Sequence, residues 1–318
     1  MAFANISDIL ATTIENRSKK VADNVTDNNA ILKRLSEKGN IKTFSGGSKI
    51  LQELSFAENA NFGWYSGYDI LPVGVSDVIS AAEYDICQAA APVVMSGLEM
   101  LQNAGKEKMI DLMDARLSVA ESTMANQISV GLYSDGTGSS NKELDGLDKA
   151  ISATNSYGGI DRTADVGIFW RSYVDDTTIS SDNIDTQFNL AWANLVRGND
   201  RPDLIMVDNN IWKFYVESLQ QFQRFTSTDS AGLGFPSLKY MDADVVLDGG
   251  IGGAATASTA YFLNTDYIHY RPHSKRNMVP LSPNRRYATN QDAEVQILAW
   301  AGNLTTSGAK FQGRIDGD

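Results

Sequence analysis

Residues 106–130 read KEKMIDLMDARLSVAESTMANQISV and contain neither glycine nor proline. Apolar residues recur in this stretch at helical steps, and polar or acidic residues occupy the other side. The pattern predicts one amphipathic helix of about seven turns, ~37 Å long at a rise of ~1.5 Å per residue. Helices of globular domains average about three turns, so we expect an extended fold, although a core helix of an α/β enzyme would show the same periodicity. The apolar side comprises Met109, Met113, Leu117, Ala120, Met124, Ile128 and Leu132, and the polar side Asp111, Asp114, Ser118, Glu121 and Asn126.

The residues that flank this stretch predict where the long helix begins and ends. Gly131 and residues 134–138 (SDGTG) tolerate left-handed backbone or bond the last carbonyls, so they should end the helix. Upstream, Pro92 to Asn103 predicts a shorter helix, and Gly105 should separate the two.

The composition is that of an ordinary globular protein, with 318 residues, 42% hydrophobic and 21% charged. The net charge of -12 argues against nucleic-acid binding over the whole surface, because such binding requires a basic footprint. The single cysteine, Cys87, excludes an internal disulfide and a thiolate metal cluster, and fits a reducing compartment. We expect Cys87 to be a small buried apolar residue. Residues 1–10 lack a secretory pattern, and no apolar run approaches the ~20 residues that span a bilayer.

The polar N-terminal part predicts an arm. Residues 1–40 contain short apolar repeats, and Asp27 or Asn28 could cap a short helix that stops at Gly39. Helices of this length are unstable alone, so the segment should dock on something else, or form a first helical layer of the domain.

Residues 41–90 predict a long β-excursion with an aromatic tip. Ile41–Phe44 and Lys49–Phe56 favour strands, and Val75–Cys87 should be the returning limb. Between the limbs, glycines alternate with four aromatic residues that are costly to leave in water: Phe62, Trp64, Tyr65 and Tyr68. Such a tip either binds a partner surface or packs on its own domain.

The remainder alternates helices and strands, which indicates an α/β or α+β domain. The predicted helices are Leu144–Ala153, Ile184–Val196 and one from Asp208 or Asn209 to Phe222. The predicted strands are Gly167–Tyr173, Asp203–Val207, Asp244–Leu247, Tyr261–Leu263, Tyr267–Tyr270 and Glu294–Ala301. In the last strand, Val295, Ile297 and Ala299 share one face.

Two motifs suggest chemistry, and neither is complete. Residues 248–255 (DGGIGGAA) fit the dinucleotide fingerprint at Gly250, Gly252 and Ala255, but no helix is predicted to follow and hold a pyrophosphate. His269 and His273 are four residues apart but flank Pro272, which breaks the helix that a zinc pair would need. We predict no catalytic residue, cofactor or metal site.

Acidic and basic groups near these motifs have ordinary explanations. Asp135, Asp145 and Asp148 do not match a calcium loop, and we expect them to cap helices or face solvent. A basic cluster, with Tyr270 and Tyr287 nearby, could contact a nucleic-acid backbone, or form a salt-bridged face against acidic neighbours. The basic cluster comprises Arg271, Lys275, Arg276, Arg285 and Arg286.

The order of these segments resembles the major capsid protein of tailed bacteriophages, the HK-ninety-seven-type shell fold shared with herpesvirus capsids and encapsulins. The stretches that carry the resemblance are 29–32 (NAIL) to 38–39, 44–47 (FSGG), 67–69 (GYD), 103–107 (NAGKE), 132–137 (LYSDGT), 146–147 and 261–265 (YFLNT). The resemblance implies an α+β capsid fold. Residues 1–45 would be the N-terminal arm, 46–90 the extended loop over a neighbouring subunit, 91–140 the peripheral domain with its spine helix, 141–290 the axial domain and 291–318 the return to the peripheral domain.

The resemblance implies a structural subunit rather than an enzyme. Its partners would be copies of itself in hexamers and pentamers that enclose double-stranded DNA, with weak contact to the DNA on the inner face. Scaffolding, portal and decoration proteins are further partners that it leaves open, and the location would be the virion capsid, assembled in the host cytoplasm. The alternatives are an encapsulin-like cargo compartment, and a nucleotide-dependent enzyme that uses the Gly250 loop and loses nucleotide binding on Gly252→Val.

Overall fold

The computed structural model describes residues 29–102, 106–221, 237–249, 253–281, 286–287 and 292–317. Residues 1–28 of the predicted arm, which include Asp27 and Asn28, lie outside these ranges. Gly105, the predicted break between two helices, also lies outside them. The helices are α1 (Ala30–Glu37), α2 (Gly97–Gln102), α3 (Lys106–Gly131), α4 (Leu147–Ala150), α5 (Ile184–Leu195) and α6 (Asn209–Gln221). Three 3-10 helices span Asp165–Trp170, Thr265–Tyr267 and Ala309–Phe311. Within the described ranges, none of the helices has the length and apolarity needed to cross a bilayer.

The strands form one hairpin and two sheets. The hairpin pairs β1 (Ile50–Ser55) with β2 (Ile79–Tyr84). In the first sheet, β12 (Ala293–Thr306) pairs antiparallel with β3 (Cys87–Ser96), β9 (Ile268–Pro272), β10 (Val279–Pro280) and β11 (Arg286–Tyr287). The second sheet has the order β4-β13-β8-β5-β7-β6. Its strands are β4 (Tyr173–Asp175), β5 (Leu204–Val207), β6 (Ser237–Tyr240), β7 (Ala243–Leu247), β8 (Thr259–Leu263) and β13 (Gly313–Asp316).

The long helix α3 confirms the strongest prediction. It runs from Lys106 to Gly131, and Leu117, Ala120, Met124 and Ile128 are buried at spacings of three and four residues, with Leu132 buried just beyond its end. Ser118 and Asn126 are exposed on the other side, while the side chains of Met109, Met113, Asp111 and Asp114 lie outside the described part. Between residues 115 and 131 the buried stripe is one residue wide per turn, so much of this part of the helix surface is exposed.

The six-stranded sheet is buried on both faces, which explains its uninterrupted apolar strands. On β5, Leu204 and Met206 belong to one core cluster, together with Met124 and Trp300, whereas Ile205 and Val207 belong to a second. The second cluster is covered by α5 and α6 through Phe188 and other residues. Alternation along each strand thus divides the interior between the two faces of the sheet.

The predicted helix from Pro92 to Asn103 was wrong in its first part. Residues up to Ser96 belong to β3, which pairs with β12 from Cys87–Gly302 to Ser96–Ala293, and the helix begins only at Gly97. The β-branched residues Val93 and Val94 favour a strand. The ten residue pairs with β12 also stabilise this strand more than local interactions could stabilise a short helix in its place. Correspondingly, β12 is longer than the predicted Glu294–Ala301. Its more buried face carries Gln296, Leu298 and Trp300 rather than Val295 and Ile297.

Two other predictions were wrong in type. Gly167–Tyr173 is not a strand: residues Asp165–Trp170 form a 3-10 helix, and β4 begins only at Tyr173. The side chain of Trp170 is buried, and its Nε1 donates to the Tyr157 carbonyl at 3.1 Å, so a tertiary contact determines the backbone there. Ile41–Phe44 makes only isolated bridges to Tyr270 and His273.

The N-cap of helix α1 lies one residue after Asn28 and two after Asp27, the two caps predicted from the sequence. Asn29 is the N-cap, and its side-chain oxygen accepts from the backbone N–H groups of Ile31 and Leu32 at 3.0 and 3.1 Å. The helix ends before Gly39, which has a φ of 71° that only glycine adopts easily. The predicted helix Leu144–Ala153 is shorter than expected, at Leu147–Ala150.

Candidate functional site

The aromatic tip projects from the protein without packing on its own domain. Phe62 is 75% exposed and Trp64 is 95% exposed, and Tyr65 and Tyr68 are exposed as well. The rings of Phe62 and Trp64 meet edge to face at 5.8 Å, so their main contact is with each other. The interpretation that the tip packs on the described part of its own domain is therefore wrong. Further apolar residues of the same loop are exposed beside them: Ile70, Leu71, Val73 and Val75.

The loop that carries the tip has internal hydrogen bonds. The Asn61 side chain accepts from the Gly74 N–H at 3.2 Å and donates to its carbonyl at 2.6 Å, and the Ala60 N–H donates to Ser76 Oγ at 3.3 Å. Asp69 accepts from the Ser66 N–H at 2.9 Å. These bonds tie the outgoing limb to the returning limb, so residues 56–78 form a paired protrusion beyond the hairpin.

The hairpin base is held firmly on the body of the protein. Leu54, Ala82 and Tyr84 are buried, and the Tyr84 hydroxyl donates to the Thr306 carbonyl at 3.1 Å. Burial raises the pKa of Tyr84 well above its usual value. Gly158, at φ 62°, accepts from the Glu83 N–H, and a Cβ there would lie 2.8 Å from Ala82. The base is thus rigid, while the tip is free to bind elsewhere.

A charge network that the sequence does not predict holds α1 against the six-stranded sheet. Arg34 contacts Asp203 at 3.1 Å and Asp244 at 3.2 Å. Lys38 contacts Asp203 at 3.1 Å and Asp266 at 2.7 Å. The partners are 165 to 228 residues apart in sequence, so only the fold reveals them. The network joins the end of the predicted arm to the predicted axial domain.

The basic cluster is only partly assembled in the described part of the chain. Arg271 is half-buried and donates to Gln52 Oε1 at 2.9 Å, and Arg276 is exposed and donates to Gln88 Oε1 at 3.3 Å. Lys275 is exposed. Arg285 and the side chain of Arg286 lie outside the described part. Arg271, Lys275 and Arg276 form no salt bridge with a described residue, and the interpretation of the whole cluster as a salt-bridged face stays a prediction.

The aromatic residues near this cluster do not support base stacking. Tyr270 is buried and stacks on Trp300, with ring centroids 6.0 Å apart and an interplanar angle of 15°. The ring is therefore covered and cannot receive a base. The side chain of Tyr287 lies outside the described part.

The two histidines lie in different surroundings. His269 on β9 is buried, and its Nδ1 has no hydrogen-bond partner. Burial, together with Lys42 and Arg271, lowers the pKa of His269 to about 4. The His273 ring contacts Phe44 edge to face at 5.0 Å. Among the described residues, no group of three or more His, Cys, Asp or Glu side chains could hold a metal ion.

The glycine-rich loop lacks the helix that a dinucleotide site needs. Gly250 and Gly252 lie outside the described part, but β8 begins at Thr259, four residues after Ala255, and residues 253–258 contain no helix. Asp248 accepts from the Tyr133 hydroxyl at 2.5 Å, and burial raises the pKa of its carboxyl. This carboxylate is thereby engaged in the interior and is not presented to a ligand.

The acidic residues after α3 are mostly engaged in structural contacts. Asp135 accepts from the Thr137 N–H at 2.9 Å, as expected of a solvated turn residue. Asp145 pairs with Lys149, and Asp148 accepts from the Tyr261 hydroxyl and pairs with Arg314 at 3.2 Å, so neither simply faces solvent. Cys87 is half-buried, and burial raises the pKa of its thiol to about 11, in agreement with a structural role.

Comparisons with known proteins identify the fold. No family model matches the chain, and no curated protein matches it. Among solved structures, the capsid asymmetric unit of cyanophage A-1(L) superposes with a TM-score of 0.57 at 14% identity, covering 87% of this chain and 89% of that chain. The chain has the fold of a tailed-phage major capsid protein.

Other solved structures support the same capsid fold. The capsid of a native GTA particle matches with a TM-score of 0.53 at 11% identity, covering 88% of this chain and 89% of that one. The capsid of Myoviridae phage XM1 matches with a TM-score of 0.53 at 10% identity, covering 89% and 92%. The α+β capsid fold expected from the sequence is thereby confirmed.

Proposed function

We propose that this chain is the structural subunit of an icosahedral viral shell, which assembles into hexamers and pentamers around double-stranded DNA. The observation that carries the proposal is the aromatic tip, presented on a rigid hairpin by a chain with the capsid fold. Several adjacent aromatic and aliphatic side chains left in water mark a surface that is buried by a partner. Copies of the same chain are the simplest partner, because closed homo-oligomers reuse one contact many times.

The proposed domains correspond to the two sheets. Residues 1–45 would be the arm and 46–90 the extended loop, which lies over a neighbour. Residues 91–140 would form the peripheral domain around α3, and 141–290 the axial domain around the six-stranded sheet. In residues 291–318, β12 pairs with β3 and β9, and β13 pairs with β4 and β8, so this segment would connect both domains.

Microscopy of the purified protein tests the proposal. The expressed chain, concentrated under solvents that promote assembly, should form closed particles of uniform diameter in negative stain, and hexamers or pentamers should precede them in sedimentation velocity. A protein that remains a compact monomer in every such solvent would overturn the proposal. Fluorescence of the exposed Trp64 should shift to shorter wavelength on assembly, since its ring would leave water.

A further inference from the structure

Four cations are carried by the segment that bridges to β9, by β9 itself and by the turn that follows it, where the hairpin joins the body of the protein. We call them the cationic patch: Lys42, Arg271, Lys275 and Arg276. Residues 41–44 run parallel to the end of β9, which places Lys42 beside Arg271. The guanidinium of Arg271 is oriented by Gln52 of β1, and that of Arg276 by Gln88 of β3. Lys42, which the sequence did not single out, belongs to the patch only through this pairing.

The cationic patch has no acidic partner among the described residues of its own chain. Several other described cations contact a carboxylate within 4.0 Å, among them Arg34, Lys38, Lys49, Arg116, Lys149, Arg201 and Arg314. Others, such as Lys33, Lys142 and Arg197, form no ion pair with a described residue, so it is the grouping of the patch cations along β9 and its neighbours that sets them apart. The two patch arginines donate to neutral amides instead, and Arg271 Nε is buried without any hydrogen-bond partner. In a chain of net charge -12, four cations that pair with no described carboxylate form a local exception to the prevailing negative charge.

The loop has the opposite character. Between Lys49 and Lys106 the sequence contains no lysine or arginine, and it contains seven carboxylates. Glu83 pairs with Lys49, and Glu99 with Arg116. Four others, Glu53 on β1 and Glu58, Asp69 and Asp77 on the protrusion beyond it, are exposed and pair with no described cation. The projection is therefore uniformly acidic as well as aromatic.

The tip of the loop does not cover the cationic patch of its own chain, although Gln52 at the hairpin base and Gln88 of β3 accept hydrogen bonds from its two arginines. Trp64 is 95% exposed at the tip, so the tip touches no patch residue at home. Both surfaces are accessible and have opposite charge, which is the arrangement that complementary surfaces of two copies require. Each exposed ion pair would be worth little, but several opposing charges orient the approach of two subunits and suppress wrong registers.

We propose that the cationic patch of one copy receives the acidic flank of the loop of a second copy, while the aromatic tip buries itself beside it. The contact rests on the proposed function, and it specifies the receiving surface. This contact also favours one orientation of two copies over others, because the remaining surfaces of two acidic chains repel each other on balance.

A charge exchange tests the contact. One variant reverses the patch (Lys42→Glu, Lys275→Glu, Arg276→Glu), a second reverses the loop (Glu53→Lys, Glu58→Lys, Asp77→Lys), and a third combines both sets. Asp69 is left unchanged, because it accepts a hydrogen bond within the tip. We expect each single set to slow shell assembly, followed by light scattering, by about tenfold or more, and the combined set to restore it. Raising the salt concentration should reduce the difference between the wild type and the reversed variants.

The controls separate this contact from general charge and from nucleic-acid binding. Lys142→Glu, Arg197→Glu and Lys310→Glu, on exposed cations outside the patch, change the net charge equally and should leave assembly unchanged. Unaltered melting temperatures show that each variant folds. If the patch-reversed protein assembles like the wild type, or if the combined variant is not restored, the inference fails. Loss of affinity for a fluorescent DNA duplex with unchanged assembly would assign the patch to nucleic acid instead.

The outcome also distinguishes this inference from the proposed function. A wild-type protein that forms no shells contradicts the function itself. Shells that form equally well with and without the cationic patch leave the function standing and refute only the receiving surface.

Discussion

At the scale of single residues, buried polar groups show which contacts the fold must satisfy. Arg162 is fully buried without a carboxylate and donates to the carbonyls of Trp170 and Ala150, at 2.9 and 2.5 Å. Burial lowers its pKa to about 10, so it remains charged at neutral pH. His269 is the opposite case, because burial beside two cations keeps its imidazole neutral.

His269 should make the protein sensitive to mild acid. Its pKa is about 4 in the folded protein and about 6.5 in an unfolded chain, so as the pH falls the unfolded state takes up a proton first. The stability that the neutral imidazole gives above pH 6.5 should therefore be lost progressively towards pH 4, by about 3 kcal/mol. Urea unfolding of wild type and His269→Gln at pH 7 and pH 4.5 measures the loss.

The His269→Gln protein should show a smaller loss of stability between the two pH values than the wild type. His273→Gln, which removes the other histidine, serves as the control and should behave like the wild type. Equal pH dependence in all three proteins would contradict this account of His269.

At the scale of elements, the sequence predicted correctly those helices and strands whose formation depends on the local residue pattern. The α3 helix follows from a periodicity sustained over seven turns, and β5 follows from a short apolar run bounded by charged residues. Residues 92–96 and 165–170 were assigned wrongly because the pairing of β3 with β12, and the pocket around Trp170, override local preference. Of the candidate site, the aromatic tip was predictable, whereas Lys42 joins the cationic patch only because its neighbours Ile41 and Phe44 bridge to residues 229 positions later.

The Arg34 network should contribute measurably to the docking of α1. Arg34→Met leaves Asp203 and Asp244 partly buried with fewer cationic contacts, and we expect a loss of about 2 kcal/mol in the free energy of unfolding. Lys33→Met, on the same helix with the same charge change, forms no ion pair with a described residue and should cost less than about 0.5 kcal/mol. Chemical denaturation measures both.

A double-mutant cycle then isolates the pair itself. Asp244→Asn combined with Arg34→Met should cost less than the sum of the two single changes, because the second change removes a partner that the first has already lost. Strict additivity would mean that Arg34 and Asp244 do not interact across the interface between α1 and the sheet.

At the scale of the whole molecule, the structure combines a well-packed body with surfaces that one copy cannot cover. Two core clusters fill the sides of the six-stranded sheet, and the hairpin base is locked by Tyr84 and Gly158. Beyond that base, aromatic and aliphatic residues project into water. A paired loop exposes most of its surface. Such a projection can therefore provide a large obligate interface between subunits without enlarging the body of each subunit.

Removing the rings of the tip should therefore separate folding from assembly. Phe62, Trp64, Tyr65 and Tyr68 replaced together by Ser should leave the melting temperature of the isolated subunit within a few degrees of the wild type, since these side chains are exposed and the ring contact between Phe62 and Trp64 stays within the tip. Assembly should fail, because the loss of four buried aromatic contacts removes several kcal/mol from each subunit interface. Trp64→Phe, Tyr65→Phe and Tyr68→Phe together keep the rings and should still assemble. Normal shells from the serine variant, seen by negative stain, would show that the tip contributes nothing to the contact between copies.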